Sequence, residues 1–223
     1  MLYIIPTPIG NLEDITYRSI RILNEVDLIL AEDTRVSHKL LSKYEILTPL
    51  ESFHSHNEHH KLASIIEKLK NGLHIGIISD AGTPGISDPG FLIVRECVKN
   101  GIELTCLPGP TALIPAMVMS GIPCDKFHFE GFLPHKKGKQ TRIEYLLKLQ
   151  TPFVLYESPH RLIKTLKKIY EIGGQNRAVC VCREISKIHE ENIRGTMSEV
   201  IANLEARSSI KGEIVIIIGS YDK

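Results

Sequence analysis

The chain has 223 residues, a formal net charge of +1 at pH 7, and 43% hydrophobic and 24% charged residues. These proportions are close to globular averages and exclude disordered and fibrous classes. The length allows one large domain or two small ones. Because the net charge is close to zero, binding to nucleic acid would require a local basic patch.

The beginning of the sequence, M-L-Y-I-I-P, has no basic segment and is interrupted by Pro6, so no signal peptide is predicted. No apolar run approaches the roughly 18 residues that a membrane span needs. The five cysteines include no C-x-x-C pair, which argues against a disulfide framework and a zinc site. We therefore expect a cytoplasmic protein whose cysteines are reduced and packed in the core.

Short apolar runs alternate with segments of helical periodicity along the whole chain. We predict strands over residues 2–5, 27–31, 74–78, 102–107, 127–130, 153–156, 177–182 and 212–218. We predict helices over residues 14–24, 34–41, 62–69, 91–98, 113–119, 141–149 and 197–204, with another after 157–161. This alternation predicts an α/β fold. The G-I-P-C-D segment at 121–125 reads as a linker, which divides the chain into domains 1–120 and 125–223.

The loop at 79–90, S-D-A-G-T-P-G-I-S-D-P-G, is the most unusual segment. Twelve residues are many for a turn between a strand and a helix. Its glycines permit positive φ and close approach of a ligand, and its prolines stiffen the chain. Because the loop contains Asp80 and Asp88 but no basic residue, it lacks the lysine of a phosphate-binding loop. A neutral or cationic ligand fits better, and a stiff loop without a ligand is the alternative.

Two shorter turns repeat this arrangement. P-T-P-I-G-N at 6–11 follows the first strand, and P-G-P-T-A at 108–112 follows the strand at 102–107. We expect Thr111 to cap the next helix, whose free amides would attract a carboxylate. Loops at the carboxyl ends of strands are where α/β sheets bind their ligands, so the three turns predict one shared pocket.

Three charged segments have two interpretations each. E-D-T-R at 32–35 follows a strand and is either part of the ligand crevice or a solvated surface. H-S-H-N-E-H-H at 54–60 lacks H-E-x-x-H spacing, so a polar loop is favoured over a metal site, with a substrate contact left open. The basic run at 135–139 is either a patch for a phosphate backbone or a solvated loop.

Eight motifs together carry a family resemblance. They are P-T-P-I-G-N-L-E-D-I-T at 6–16, A-E-D-T-R at 31–35, H-x-H-N-E at 54–58, S-D-A-G-T-P-x-I-S-D-P-G at 79–90, L-P-G-P at 107–110, E-G-F-L-P at 130–134, Y-E-S-P-H-R at 156–161 and K-G-E-I-V at 211–215. The combination resembles the small-subunit ribosomal RNA cytidine-2′-O-methyltransferases, a branch of the tetrapyrrole methylase superfamily. The match covers almost the whole chain, and the motif at 79–90 is the most specific.

The resemblance implies two α/β domains with S-adenosyl-L-methionine in the cleft between them, and a homodimer. It implies methylation of the ribose 2′-hydroxyl of a cytidine in 16S ribosomal RNA, within the small ribosomal subunit. The implied cofactor-binding residues are Pro8, Asp80, Gly82, Thr83, Pro84, Ile86, Thr111 and Ala112, with Tyr156, Glu184 and Gly212 from the second domain. Asp80 is the first candidate for attracting the positive sulfonium.

The sequence departs from the superfamily pattern in two places. Corrin-making members open with a G-x-G-P-G-type turn, whereas residues 6–10 read P-T-P-I-G, which favours the RNA branch. Many ribosomal RNA members extend beyond the K-G-E-I-V strand. Because this sequence ends at Lys223, we expect any RNA contact made by such an extension to be missing.

Methyl transfer to a hydroxyl depends mainly on holding oxygen, carbon and sulfur in line, and a base can assist. The base candidates are His160 and Glu157, followed by Glu184. Arg35, Arg161 and Lys187 would neutralise RNA phosphates, together with Lys136 and Lys137 from the basic run. The alternative for each arginine is an ordinary surface ion pair.

Two other functions remain open. A C-methyltransferase of the same superfamily acting on a tetrapyrrole, such as a precorrin or uroporphyrinogen, would need an apolar trough, which the basic run and Arg35 fit poorly. A non-catalytic RNA-binding module on the same scaffold would bind no S-adenosylmethionine, so a thermal shift with that cofactor distinguishes it.

Overall fold

The computed structural model describes residues 1–221. They form two compact units, the first running from Met1 to Thr111 and the second beginning at Ala112. The division falls before the helix at 113–120, which the sequence analysis had assigned to the first domain. This helix belongs to the second unit because it packs against three strands of that unit's own sheet.

The first unit contains a five-stranded parallel sheet with the strand order β3-β2-β4-β1-β5. Its strands are β1 (Leu2–Ile4), β2 (Leu28–Ala31), β3 (Leu50–Ser52), β4 (Ile75–Ile78) and β5 (Leu104–Cys106). Its helices are α1 (Tyr17–Glu25), α2 (Thr34–Lys43), α3 (Glu58–Lys70) and α4 (Phe91–Lys99), with a 3₁₀ turn at Leu12–Asp14.

Both faces of the first sheet are covered. Every residue of β2 and β4 is buried, as expected for central strands of a parallel sheet with helices on both sides. Along β2, Leu28 and Leu30 pack in one apolar cluster, whereas Ile29 and Ala31 pack in another. Since successive side chains of a strand point to opposite faces, the two clusters are the two faces of the sheet. Because the five strands are parallel, their carboxyl ends all lie on one edge of the sheet.

The second unit contains a mixed five-stranded sheet with the strand order β6-β7-β10-β8-β9. Its strands are β6 (His128–Phe132), β7 (Phe153–Glu157), β8 (Ala178–Arg183), β9 (Glu191–Thr196) and β10 (Ile214–Ile218). Its helices are α5 (Leu113–Ser120), α6 (Lys139–Leu147), α7 (Leu162–Ile169) and α8 (Met197–Glu205), with a π-helical turn at Tyr170–Gly174. Only the β6–β7 pair is parallel among the four pairs of this sheet.

Helix α5 is attached to the second sheet by polar as well as apolar contacts. The Cys182 thiol in β8 points at the carbonyl of Ala116, with 3.8 Å between sulfur and oxygen. The guanidinium of Arg194 in β9 donates to the carbonyl of Met119, 2.9 Å from Nε. The left-handed Gly121 (φ 72°) ends the helix. The predicted linker at 121–125 therefore follows a helix that already belongs to the second unit.

The sequence analysis missed two strands, both at sheet edges. β3 has three residues, all only half-buried, and β9 has a single buried residue, Ile193. Neither gives the apolar run or the strict alternation by which a strand is recognised. Helix α3 begins at Glu58, four residues before the predicted start, so His59 and His60 lie in its first turn.

The five cysteines differ in their burial. Cys97, Cys180 and Cys182 are buried, as expected, but Cys106 and Cys124 are exposed, so the expectation that all five pack in the core is wrong for these two. Cys106 ends the edge strand β5, and Cys124 lies between α5 and β6. None of the helices within residues 1–221 has the length and hydropathy to cross a bilayer.

Candidate functional site

The loops after β1 and β4 are joined at the carboxyl edge of the first sheet. The backbones of Thr7 and Gly82 form an antiparallel bridge, with 2.9 Å between nitrogen and oxygen in both directions. The Thr7 hydroxyl donates to the carbonyl of Ser79 at 2.9 Å, and the Ser79 hydroxyl donates to the carbonyl of Gly82 at 3.1 Å. Thr7 and Ser79 are buried, so these bonds are shielded from water and fix the two loops to each other.

The loop after β5 lies against the same two loops. The Thr83 hydroxyl donates to the carbonyl of Pro110 at 3.3 Å. Gly109 packs on the ring of Pro6 so closely that a Cβ at position 109 would lie 3.0 Å from Cγ of Pro6. The three glycine- and proline-rich turns of the first unit are therefore brought together, as their positions after parallel strands predicted.

The loop over residues 79–90 holds a shape of its own. The buried Gly82 has a φ of 82°, and Gly90, with a φ of 139°, lies so close to Gly85 that a Cβ would be 3.2 Å from its nitrogen. A hydrogen bond of 3.2 Å from Gly85 N–H to the Pro89 carbonyl closes the far end of the loop. Ser87 also has positive φ, 66°, which is unusual for a residue with a side chain. Strained backbone of this kind is typical of ligand-binding loops.

Three carboxylates collect where β2 and β4 end. Oδ1 of Asp80 accepts a hydrogen bond from the backbone N–H of Asp33 at 3.1 Å. Partial desolvation raises the pKa of Asp80, and repulsion from Asp33 adds to the increase. Partial burial also raises the pKa of Glu32, with repulsion from Asp80 as the next cause. A cation bound beside Asp80 and Glu32 would relieve this repulsion, and an anion would increase it.

Arg35 is tied to the same segment. Its Nε and Nη2 donate to the two carboxylate oxygens of Asp33 at 3.0 and 2.6 Å. These bonds lower the pKa of Asp33 well below its usual range. The arginine side chain is 88% exposed, so its charge faces water. It is in an ion pair, as the alternative interpretation held, and it still presents part of its guanidinium to solvent.

The remaining cofactor candidates of the first unit lie along these loops. Pro84 is buried, Pro8 and Thr83 are half-buried, and Ile86 is 43% exposed. Thr111 is half-buried, but the prediction that it caps α5 is wrong. The N-cap position is held by Ala112, which begins the second unit and offers no side-chain hydrogen bond. Because alanine has no polar side chain, the first turn of α5 has no side-chain cap.

In the second unit, Glu157 at the end of β7 is buried, with 3% of its surface exposed. Its Oε1 accepts from the Ser158 N–H at 2.8 Å and from Nε of Arg161 at 2.7 Å. Its Oε2 accepts from the Thr165 hydroxyl at 2.6 Å. Thr165 in turn accepts from Nζ of Lys139 at 2.8 Å. A buried carboxylate with this set of partners has the environment of a residue that positions its neighbours.

The chain of contacts continues from Arg161 to His135, whose Nδ1 lies 2.9 Å from Nη1 of the arginine. Because a guanidinium can only donate, Nδ1 of His135 is the acceptor and the ring proton is on Nε2. His160, by contrast, is exposed, and its backbone N–H is 3.3 Å from the Ser158 hydroxyl. Its imidazole is therefore the more accessible of the two base candidates in this motif.

Glu184 follows the end of β8 and Gly212 precedes the start of β10. The two residues lie beside each other. Oε1 of Glu184 accepts from Nζ of Lys187 at 2.8 Å and from the Glu213 N–H at 2.9 Å. The bond to Lys187 is the main reason why the pKa of Glu184 is lowered, which makes it a weaker base. Lys187 also pairs with Glu213 at 3.2 Å, so two carboxylates already neutralise it.

Tyr156 packs edge-to-face with Phe129, at 5.1 Å between ring centroids, and with Phe132, at 5.8 Å. Phe132 is itself 53% exposed, so this aromatic cluster extends to the surface of the second unit. Lys136 and Lys137 are exposed in the loop before α6, and within residues 1–221 neither forms an ion pair. Both lysines are therefore free to meet an anion.

The histidine-rich segment before α3 is ordered by polar contacts. The His54 N–H donates to Oδ1 of Asn57 at 2.9 Å, and Nε2 of His54 lies 3.1 Å from Nδ2 of Asn57. The other ring nitrogen, Nδ1, is buried without a hydrogen-bond partner. In the described part of the chain, no group of three or more His, Cys, Asp or Glu side chains is arranged so that it could hold a metal ion. A contact from this segment to substrate stays a prediction.

Sequence reasoning missed several residues of these networks. Thr165 is polar at a position where the apolar face of α7, carrying Leu162, Leu166 and Ile169, would otherwise continue. A polar residue on such a face signals that it has a buried partner. Thr7 and Ser79 lie inside quoted motifs but bind only backbone, and no side-chain chemistry distinguishes them in the sequence.

Comparison with known proteins identifies relatives of the whole chain. The family model described as Tetrapyrrole (Corrin/Porphyrin) Methylases matches residues 1–201. A protein of Thermotoga maritima named Ribosomal RNA small subunit methyltransferase I is 48% identical over 221 residues, covering 99% of each chain. The protein of the same name from Bacillus subtilis is 48% identical over 98% of this chain and 74% of its own length.

Solved structures with the same fold are more distant in sequence. Diphthine synthase aligns with a TM-score of 0.76 at 11% identity, covering 98% of this chain and 89% of the other. The cobalt precorrin-4 methyltransferase CbiF aligns with a TM-score of 0.69 at 18% identity, covering 98% and 94%. A uroporphyrin-III C-methyltransferase from Thermus thermophilus complexed with S-adenyl homocysteine aligns at 0.65 and 15% identity, covering 98% and 96%. These likenesses show the two-unit α/β fold.

Proposed function

This chain belongs to the tetrapyrrole methylase family, and on that premise we propose that it is an S-adenosyl-L-methionine-dependent enzyme that methylates the ribose 2′-hydroxyl of a cytidine in 16S ribosomal RNA. The observation that carries this proposal is the similarity over 99% of both chains to a relative named Ribosomal RNA small subunit methyltransferase I. The likeness to corrin and uroporphyrin enzymes is below 20% identity and supports the fold only.

The loops of the first unit suit S-adenosylmethionine by their charge. The loop at 79–90 has no basic residue, and Asp80 and Glu32 both have raised pKa values because they are partly desolvated close to each other. A sulfonium about 4 Å from a carboxylate would gain about 4 kcal/mol at an effective dielectric of 20. Asp80 would attract the sulfonium, and the strained backbone around Gly82 would allow the ligand to approach the main chain.

When bound, S-adenosylmethionine supplies an electrophilic methyl group on a positively charged sulfur. The residues of this chain then have two tasks, to hold the donor rigidly and to bring the ribose oxygen into line with it. The bonds from Thr7 to Ser79 and Gly82 fix the loops after β1 and β4 to each other. Transfer to a hydroxyl also releases a proton, which a base or water must accept.

Among the three base candidates, His160 is favoured by its exposure and by its hydrogen bonding. It is exposed, and its backbone N–H rather than its imidazole donates to the Ser158 hydroxyl, whereas Glu157 and Glu184 are engaged in ion pairs and hydrogen bonds. A direct part for these two glutamates in proton transfer stays a prediction. Glu157 acts instead through Arg161, which it orients, and Glu184 through Lys187.

The substrate side of the proposal includes Arg35, Arg161, Lys187, Lys136 and Lys137 as contacts to RNA phosphates. A ribosomal RNA substrate places the enzyme in the cytoplasm, acting on the small ribosomal subunit. The family resemblance adds a homodimer as the working unit. Each of these points extends beyond the name of the relatives.

The deciding experiment measures methyl transfer. The purified protein is incubated with methyl-labelled S-adenosylmethionine and small ribosomal subunits that lack the modification, and the modified ribose is then mapped. We expect one labelled 2′-O-methylcytidine in 16S RNA. Transfer to uroporphyrinogen or a precorrin but not to the subunits would reject the proposal in favour of the tetrapyrrole branch. The absence of a thermal shift with S-adenosylmethionine would reject both enzymatic functions.

A further inference from the structure

The second unit has an open groove of about 770 Å³ beside helix α7. Five lysines line it and only one carboxylate does, Glu171. These lysines are Lys136, Lys139, Lys164, Lys167 and Lys168. The groove is therefore strongly basic in a chain whose net charge is only +1, which means that positive charge is concentrated here.

We infer that this groove binds the phosphate backbone of a single-stranded segment of the RNA substrate, which rests on the proposed function and assigns it a second contact surface. Lys164 is exposed on α7, and within residues 1–221 it has no ion pair, as is also true of Lys136. Lys164 and Lys168 are one helical turn, about 5.4 Å, apart along the same face of α7. Such a row of ammonium groups can follow successive phosphates of one strand.

Buried side chains of the second unit hold the floor of the groove in position. Glu157 is 3% exposed, and its carboxylate holds Thr165, which is fully buried, at 2.6 Å. Thr165 accepts from Lys139 at 2.8 Å, so the ammonium group of Lys139 is held at a fixed place in the groove. Lys139 is half-buried, and this partial burial lowers the pKa of its ammonium group. A phosphate would compensate a charge that the protein already holds in position.

The wall of the groove is held by the same carboxylate. Glu157 fixes Arg161 by bonds of 2.7 Å from Nε and 2.6 Å from Nη2, and Arg161 in turn donates to His135 at 2.9 Å. His135 therefore enters the groove with its remaining N–H on Nε2, ready to donate to a phosphate oxygen. His160 also lines the groove, so the proposed base and this surface lie next to each other.

Two of the lysines are already partly neutralised. Lys167 pairs with Glu205 at 2.5 Å, and Lys168 approaches Glu171 at 3.5 Å. These pairs are exposed and weak, so a phosphate can compete for them. Within residues 1–221, Ile163 is the one hydrophobic residue that lines the groove. RNA is the occupant that its charge and its position beside His160 favour.

The test compares two double variants with the same charge change. Lys136→Gln with Lys164→Gln removes two unpaired groove lysines, and Lys126→Gln with Lys148→Gln removes two exposed lysines of the same unit outside the groove. Binding of a labelled single-stranded RNA is measured by fluorescence anisotropy over a range of salt. We expect the groove variant to bind about tenfold more weakly, with a salt slope smaller by about 1.4, because each single-strand phosphate contact contributes about 0.7. The control variant should retain most of the affinity.

A positioning test addresses the buried relay. Thr165→Val keeps the size of the side chain but removes the hydroxyl between Glu157 and Lys139. We expect a higher KM for small ribosomal subunits with a smaller change in kcat, and unchanged affinity for S-adenosylmethionine.

Equal loss of RNA affinity in the groove and control variants would overturn the inference. So would binding of the protein to phosphatidylserine vesicles with no binding to RNA.

The two proposals fail separately. If the wild-type protein methylates small subunits but the groove variant binds and methylates RNA like wild type, only the groove assignment falls. If no methyl transfer to subunits occurs and RNA binding still depends on Lys136 and Lys164, the groove assignment stands and the proposed reaction falls. Circular dichroism confirms that each variant is folded before it is compared.

Discussion

The side chain of Glu184 occupies the space that a side chain at position 212 would need. A Cβ built on Gly212 overlaps the carboxyl group of Glu184, whose Oε1 accepts the Glu213 N–H at 2.9 Å. Gly212 also has a φ of 95°, a conformation that residues with a side chain rarely adopt. The glycine of the K-G-E-I-V motif is therefore required by its backbone and by its neighbour.

Replacing Gly212, and comparing it with another glycine of positive φ, distinguishes the backbone requirement from the requirement set by Glu184. Gly212→Ala should lower the free energy of unfolding by about 2–3 kcal/mol, because it combines an unfavourable φ with displacement of the Glu184 carboxylate. Gly72→Ala is the matched control, since Gly72 has a φ of 92° and no atom within 4 Å of a built Cβ. It should cost only about 1 kcal/mol. Urea unfolding measures both, and equal losses would show that Glu184 yields without cost.

Asp80→Asn should weaken cofactor binding while stabilising the free protein. The asparagine keeps an oxygen that can accept the Asp33 N–H but removes the charge. We expect S-adenosylmethionine affinity to fall about tenfold by calorimetry, because part of the attraction to the sulfonium is lost. Unchanged affinity would mean that the acidic loop does not contact the sulfonium.

The pH dependence of stability tests the same carboxylates. Asp80 and Glu32 have pKa values raised in the folded state, so folded protein binds more protons than unfolded protein at pH values between the unfolded and folded pKa. Their contribution to stability is therefore most favourable below the unfolded pKa and is lost as the pH rises through the folded pKa. The melting temperature of Asp80→Asn relative to wild type should increase as the pH rises through this window. A constant difference would show that the raised pKa of Asp80 is not coupled to folding.

Glu157→Gln should destabilise the second unit by about 2 kcal/mol, since it leaves Arg161 without its buried counter-charge. The loss is below the 3–5 kcal/mol of a fully buried pair because Arg161 is 20% exposed. Glu25→Gln removes another i, i+4 partner of an arginine, in a pair that is more than half exposed on both sides. That control should change stability by less than about 0.5 kcal/mol. Similar effects of the two variants in urea unfolding would contradict the positioning role of Glu157.

The thiols should react in two groups. Cys106 and Cys124 are exposed and should react with a thiol reagent in the native protein, Cys106 more slowly because partial desolvation raises its pKa. Burial raises the pKa of Cys97 to about 11, and Cys180 and Cys182 lie 3.6 Å apart in the sealed core of the second sheet. These three should react only after denaturation, because they are buried out of reach of the reagent. Native labelling followed by mass spectrometry counts them.

Much of the site was predictable because it rests on local chemistry. The glycines, prolines and acidic residues of the loop at 79–90 indicate a rigid, cation-favouring loop without reference to any other part of the chain. The apolar runs of β1, β2 and β4 indicate parallel strands, and the parallel arrangement places the loops after them on one edge. Thr7 and Gly82 are 75 positions apart, and their bridge follows from this rule.

What the sequence by itself determined is the fold class, the loops of the first unit and the family, because each depends on residue type and short-range order. Only the tertiary structure decided which charges are free. Glu157, Glu184, Arg161 and Lys187 look equivalent to catalytic or phosphate-binding groups in the sequence, but folding pairs them with each other and leaves Lys136 and Lys164 unpaired. The paired residues are only four and three positions apart in the sequence, but neither pair lies within one helix, so the conformation of the chain after β7 and after β8 decides whether they meet.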